Sequence, residues 1–195
     1  MNLRFIIIFL LSLFLIIFIF FFSQEIIKKL IPDHRFNINS TLNLVNHKNE
    51  KITKFNFVGN PSILFFGFTN CPDVCPTTLN DLSLLLDKLG DKGKNLKVYF
   101  VTLDPQRDTV DVLNDYIPYF GPQFIGVTGE EDKILNFVKN WGIYRKKNLT
   151  SKQDYLIDHT ASVFLINSEG QFAGTIAYQE KSDVALDKLE NLIRK

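Results

Sequence analysis

The chain has 195 residues, 46% of them hydrophobic, with 22 Lys+Arg against 21 Asp+Glu and a formal net charge of +1. That length holds one full domain and an appendage, but not two comfortable domains. With Arg4 set aside, cations and anions balance, so there is no basic field of the kind that gathers nucleic acid, and a nucleic-acid role is excluded.

Much of the apolar content sits in the first stretch, "MNLRFIIIFLLSLFLIIFIFFFSQ", where Ser12 is the only polar residue between Phe5 and Phe22. As a helix rising about 1.5 Å per residue, that run covers roughly 27 Å, close to the hydrocarbon thickness of a bilayer. A buried core helix is the alternative, but a helix apolar on every face has no side to offer water. Residues 1–23 therefore read as a membrane anchor. The run exceeds the about 7–15 residues of a signal peptide's apolar region, and "FFFSQEIIKK" offers no small-residue cleavage pattern, so an uncleaved anchor is expected. Arg4 at one end and Glu25, Lys28 and Lys29 at the other leave its orientation undecided by charge. Residues 24–40 lack periodicity and read as a tether reaching roughly 25 Å.

From residue 41 to the end, strand and helix patterns alternate. "TLNLVN" and "KITKFNF" flank "HKNE" as a hairpin, with His47 a solvated turn residue. "SILFFGF" is a short apolar run suited to a central strand buried on both faces. "CPTTLNDLSLLLDKLG" places Leu79, Leu82, Leu85, Leu86 and Leu89 on one helical face, with Pro76 in the first turn and Gly90 as the stop. "NLKVYFVTL" is a second buried strand, "TVDVLNDYIPYF" a helix ending near Pro118, and "FIGVTG" a third strand. In "TGEEDKILNFVKNWG", Thr128 and Glu131 suggest a capping box ahead of a helix whose stripe is Ile134, Leu135, Val138 and Trp141. "ASVFLINSEGQFAGTIAY" gives two strands joined by a turn at Asn167–Gly170, and "SDVALDKLENLIRK" a final helix opened by Ser182 and acids and closed by Arg194 and Lys195. The cations Arg145, Lys146 and Lys147 read as solvated surface.

This order predicts an α/β domain over residues 41–195. Its largely parallel central sheet, flanked by helices, would be made mixed by a terminal antiparallel hairpin, which is thioredoxin-like in outline.

Both cysteines, Cys71 and Cys75, stand between the first buried strand and the first helix, each followed by a proline. A helix N-terminus favours thiolate over thiol, and thiolate is both the nucleophile of disulfide exchange and a ligand for soft metals. A structural disulfide here would close only a tiny loop and stabilise little. The spacing is C-x-x-x-C and not the C-x-x-C of thioredoxin-type oxidoreductases, and the extra residue lets both sulfurs point at a third atom.

Of the three histidines, His34 falls in the tether and His47 in the hairpin turn, while His159 lies just ahead of a buried strand. In a thioredoxin-like sheet the loop before that strand packs against the cysteine loop, so His159 alone is placed to meet Cys71 and Cys75, although a satisfied turn residue is the commoner role. Two thiolates and one imidazole form a soft, three-coordinate set that selects Cu(I) and could take Cu(II) with added ligands, whereas structural zinc asks for a fourth donor. Asp158 could orient His159 from behind. Asp104 and Asp108 follow a strand and read equally as turn and cap residues.

The motifs "FFGFTNCPDVCPTTL", "VTLDPQRDT", "FIGVTG" and "DHTASVFLIN" resemble the SCO/SenC family, membrane-anchored copper proteins of cytochrome c oxidase assembly, over about residues 40–190. The resemblance implies a copper ion held by Cys71, Cys75 and His159. It also implies delivery of that copper to the oxidase subunit carrying the binuclear copper site, after receipt from a donor protein it does not specify. A thiol–disulfide reductase acting on that subunit's cysteines through Cys71 and Cys75 is the alternative, and no turnover enzyme beyond that is expected. A peroxidase on the same fold would need an arginine, or a glutamine and tryptophan, around its cysteine. Trp141 lies on a core-facing stripe and Arg107 is the single candidate. The implied location is a bacterial inner membrane with the domain in the periplasm, or a mitochondrial inner membrane facing the intermembrane space.

Overall fold

Every residue of β3 (Ser62–Gly67) is buried, as a strand covered on both faces must be. The computed structural model describes residues 3–30, 44–150 and 154–194, so His34 and most of the expected tether lie outside the described residues. The chain divides into two compact units, Met1–Arg35 and Phe36–Lys195.

In the first unit, α1 (Leu3–Leu30) is a helix of 28 residues, so helix continues through the start of the segment expected to be a tether. Among the described residues no helix is long and apolar enough to cross a membrane; within α1 the continuous run of described side chains covers only 12–23.

The second unit is the α/β sandwich that the alternating pattern predicts. A seven-stranded sheet runs β2 (Lys51–Ile52), β1 (Leu44–Asn46), β5 (Phe124–Gly129), β4 (Lys97–Thr102), β3, β8 (Val163–Ile166), β9 (Phe172–Ile176). The centre β3–β4–β5 is parallel, and β8 and β9 add antiparallel strands, so the sheet is mixed. Phe65 and Phe100 turn to one face, under α2 (Val74–Leu89), α3 (Val110–Tyr116) and α5 (Ser182–Arg194). Phe66 turns to the other, where it meets Phe137 and Trp141 at the end of α4 (Glu131–Asn140).

Three local expectations differ from the structure. The second hairpin arm is strand only at β2; residues Lys54–Phe57 form a 3-10 turn because Asn56 Oδ1 takes the Thr53 N–H at 2.7 Å. His47 is not solvated: it is 7% exposed, and its Nδ1 accepts the Gly126 N–H at 3.1 Å. Thr128 caps nothing; it lies in β5, its hydroxyl donates to Asp108 O at 2.8 Å, and Glu130 precedes α4 without a side-chain cap. The cations Lys146 and Lys147 are exposed as expected, within a strand, β6 (Arg145–Leu149), which pairs with β7 (Tyr155–His159) in a separate two-stranded sheet.

Candidate metal centre

The chain leaves β3 at Gly67, turns through residues 68–73 and enters α2 at Val74, with Asp73 as N-cap. Cys75 is thus the second residue of the helix rather than its cap, and Cys71 is in the turn before it. The Cys75 N–H, one of the donors a helix start leaves without a carbonyl partner, points at Cys71 Sγ over 3.4 Å. Cys75 is 0% exposed, while Cys71 is partly exposed, and both are free thiols.

His159 is the last residue of β7, and its ring stands edge-on to Phe68 with centroids 6.0 Å apart. Its Nδ1 lies 2.8 Å from the Thr160 carbonyl oxygen. A carbonyl only accepts, so the proton is on Nδ1 and the lone pair on Nε2. That Nε2 lies 3.6 Å from Cys75 Sγ. The donor atoms of Cys71, Cys75 and His159 all fall within 4.8 Å of one another. Donors arranged around one ion at bond lengths of about 2.0–2.3 Å would be separated by roughly 3.5–4 Å, so a small closure suffices. No further His, Cys, Asp or Glu joins the cluster among the described residues.

Asp158 does not take the orienting role expected of it. Neighbouring strand residues face opposite ways, so the Asp158 carboxylate accepts instead from Asn148 Nδ2 at 2.6 Å, and Thr160 O holds the imidazole.

The electrostatics separate the two sulfurs. Cys71 is pulled down to about 4, first by the hydrogen bond from the Cys75 thiol, then by His159 and by the backbone N–H groups of Cys75 and Asp73, against a burial cost. Cys75 moves up, because it gives that hydrogen bond, is buried, and would ionise beside an existing charge. The pair therefore carries one shared negative charge at neutral pH, with Cys71 as thiolate.

A second layer holds the sulfur loop. Asp108 is 0% exposed and takes the Thr69 hydroxyl at 2.6 Å, the Thr69 N–H at 3.1 Å and the Thr102 hydroxyl at 2.6 Å. Burial raises its pKa, opposed by these three donors. Asp104 is buried with Arg107 and Tyr155 on its carboxylate. Asp104 is a turn residue, its carbonyl accepting the Arg107 N–H at 3.0 Å, whereas Asp108 is no cap: Thr109 caps α3. Arg107, the arginine a peroxidase would need, is committed to Asp104, Asp154 and the Tyr155 carbonyl. Spacing alone could not single out Asp108 and Thr69; the second acid of "DPQRDT", six residues after Thr102, was the available signal.

The family model described as SCO1/SenC matches residues 32–194. Protein SCO1, mitochondrial, of Saccharomyces cerevisiae is 40% identical over 139 residues, covering 69% of this chain and 47% of the yeast protein. The chain thus spans about half the length of that relative. The structure of Bradyrhizobium japonicum ScoI with copper bound matches at TM-score 0.71 and 31% identity, over 76% of this chain and 95% of that one. Arabidopsis thaliana ScoI with copper bound matches at TM-score 0.73 and 32% identity, over 77% and 94%.

Proposed function

Because this chain belongs to the SCO1/SenC family, we propose that it carries copper to the binuclear copper site of a cytochrome c oxidase subunit, with Cys71, Cys75 and His159 holding the ion. One observation carries the reading: two sulfurs and one imidazole lone pair converge within 4.8 Å, with no fourth ionisable donor among the described residues. That set suits Cu(I), which accepts few, soft ligands, and leaves structural zinc one donor short. The ion is cargo. Partial exposure at Cys71 gives the acceptor a way in, while burial of Cys75 keeps one sulfur as the anchor during exchange.

A second reading is favoured by the low Cys71 pKa beside a buried protonated Cys75. The Cys71 thiolate would attack a disulfide in the oxidase subunit, releasing one thiolate. Cys75 would then lose its proton and displace the second, leaving the Cys71–Cys75 disulfide and transferring two electrons. Transfer separates the two. Cu(I)-loaded protein mixed with the reduced, metal-free soluble domain of the oxidase subunit should hand over copper, and His159→Ala should hold it on the two sulfurs alone, less tightly. Reduction of that domain's disulfide with no copper transfer, undiminished in His159→Ala, would favour the reductase.

The organisation fits delivery at a membrane: residues 1–23 as anchor, 24–40 as connector and 41–195 as the copper domain. Phe14, Phe18 and Phe21 are exposed around α1. The hydroxyls of Ser12 and Ser23 donate back to Phe9 O and Phe20 O at 2.8 Å, so neither needs water in hydrocarbon. The domain would face the periplasm of a bacterium, or the intermembrane space of a mitochondrion. Carbonate-resistant membrane association, with the domain open to protease from that side only, is the expected result; release by carbonate would remove the anchor.

A further inference from the structure

The imidazole and the thiols belong to different sheets. Cys71 and Cys75 follow β3 of the seven-stranded sheet, whereas His159 ends β7, whose only ladder among the described residues is with β6. No strand pairing therefore fixes His159 against the sulfurs. The three-residue link from His159 to β8, which pairs with β3, sets one end; side chains must fix the other.

Those side chains meet at the β4–α3 loop, residues 103–109. Arg145 Nε donates to Leu103 O at 2.7 Å, Arg107 donates to the Asp154 carboxylate at 3.0 Å and to Tyr155 O at 3.1 Å, and the Tyr155 hydroxyl donates to Asp104 at 2.7 Å. The Tyr155 ring lies between two cations, with Arg107 Cζ 3.7 Å and Lys147 Nζ 3.5 Å from its centroid. The same loop holds the other half of the centre, since Asp108 takes Thr69 N–H and Oγ1, two residues before Cys71. Its own shape is kept by the Asp108 N–H on Asp104 O at 2.8 Å. Tyr155, Ile157 and His159 alternate onto one face of β7, so the ring and the imidazole are two ends of one short lever, about 13 Å long at about 3.3 Å per residue.

We infer that Tyr155 is a positioning residue: gripped by Arg107 and Lys147 and anchored on Asp104, it locks the β6–β7 hairpin to the loop that also holds the sulfurs, and so sets the distance from His159 to Cys71 and Cys75. This rests on the copper reading above. Without the grip, the hairpin swings and the site becomes a two-sulfur site.

The test compares Tyr155→Leu, which removes both ring and hydroxyl, with Tyr155→Phe, which keeps the ring between the cations. Amide exchange across 145–149 and 155–159 is followed in the metal-free protein, and Cu(I) affinity and copper-edge X-ray absorption in the loaded one. In Tyr155→Leu the hairpin amides exchange faster while those of β3 and β4 do not. Both sulfurs stay on copper, the nitrogen is lost, and affinity falls about ten- to a hundredfold. Tyr155→Phe shows a smaller change of the same kind. Unchanged exchange and an unchanged nitrogen in Tyr155→Leu would overturn the inference, as would equal acceleration of β3 and β4, which would make Tyr155 a general stabiliser. If Tyr155→Leu does not fold, Tyr155→Phe and Asp104→Asn decide by the same measurements. A wild-type chain that binds no copper would sink the copper reading alone, because exchange in the metal-free protein still reports whether Tyr155 holds the hairpin.

Discussion

The sulfur of Cys75 lies 2.8 Å from the point where a Cβ on Gly67 would stand, and Phe100 Cε2 lies 2.6 Å from it. The buried thiol is packed directly on bare β3 backbone, in space that any side chain would fill. Gly67→Ala must push the start of α2 or the Phe100 ring aside, and overpacking of this kind costs about 1–3 kcal/mol. Denaturant unfolding should show that loss, and Cu(I) binding should weaken because Cys75 Sγ moves away from His159 Nε2.

Thiolate absorbance near 240 nm should count one ionised sulfur per chain across the neutral range. Cys71 has its pKa lowered from 9.0 to about 4, and Cys75 titrates only far above its ordinary value. A lowered folded-state pKa contributes stability that is fully present above the unfolded value and is lost as pH falls through the folded one. The Cys71 contribution therefore declines from about pH 9 towards pH 4. The raised Cys75 pKa works the other way, so stability also falls above about pH 9, where the unfolded chain ionises both thiols. Cys71→Ser should remove the neutral-pH absorbance. Two thiolates at pH 7 would contradict the assignment.

Asp108→Ala strips the acceptor from two hydroxyls and the Thr69 N–H. Each buried donor left without a partner costs about 1–3 kcal/mol, so this change should destabilise the fold more than Gly67→Ala does. Asp108→Asn keeps the shape but offers one accepting oxygen where the carboxylate offered two. It should fall between wild type and Asp108→Ala in denaturant unfolding.

A great deal of this architecture was legible because burial writes itself into apolar runs. "SILFFGF" and "KVYFVT" have no other use than central strands, and the leucine stripe of α2 could face only a sheet. The two cysteines and His159 were legible from the motifs around them. The β6–β7 hairpin was not, since Arg145, Lys146, Lys147 and Asn148 carry no alternating apolar signal; that hairpin is held by cation–ring and carboxylate contacts to a distant loop. Likewise Thr128 matched a capping box in spacing, yet continuation of β5 through Gly129 put it in a strand, out of reach of α4. His47 sits in a polar stretch, and only the antiparallel β1–β5 pairing brings it to Gly126.

That last contact predicts an acid sensitivity. His47 accepts the Gly126 N–H through Nδ1 and is buried, so its pKa is lowered from 6.5, chiefly by burial and further by Lys48. Protonation breaks the bond. The unfolded chain binds the proton more readily than the folded one, so stability falls as pH drops below about 6.5. In His47→Asn, whose Oδ1 can take the same N–H without titrating, urea unfolding between pH 7.5 and 5.5 should show a flatter dependence than wild type.

The measurement that bears most directly on the account is copper-edge X-ray absorption on the reduced, Cu(I)-loaded protein, beside its His159→Ala variant. One copper per chain with two sulfur neighbours and one nitrogen, the nitrogen vanishing in the variant, is the predicted result. A sulfur-only shell in the wild-type protein, or a nitrogen that persists without His159, would contradict it.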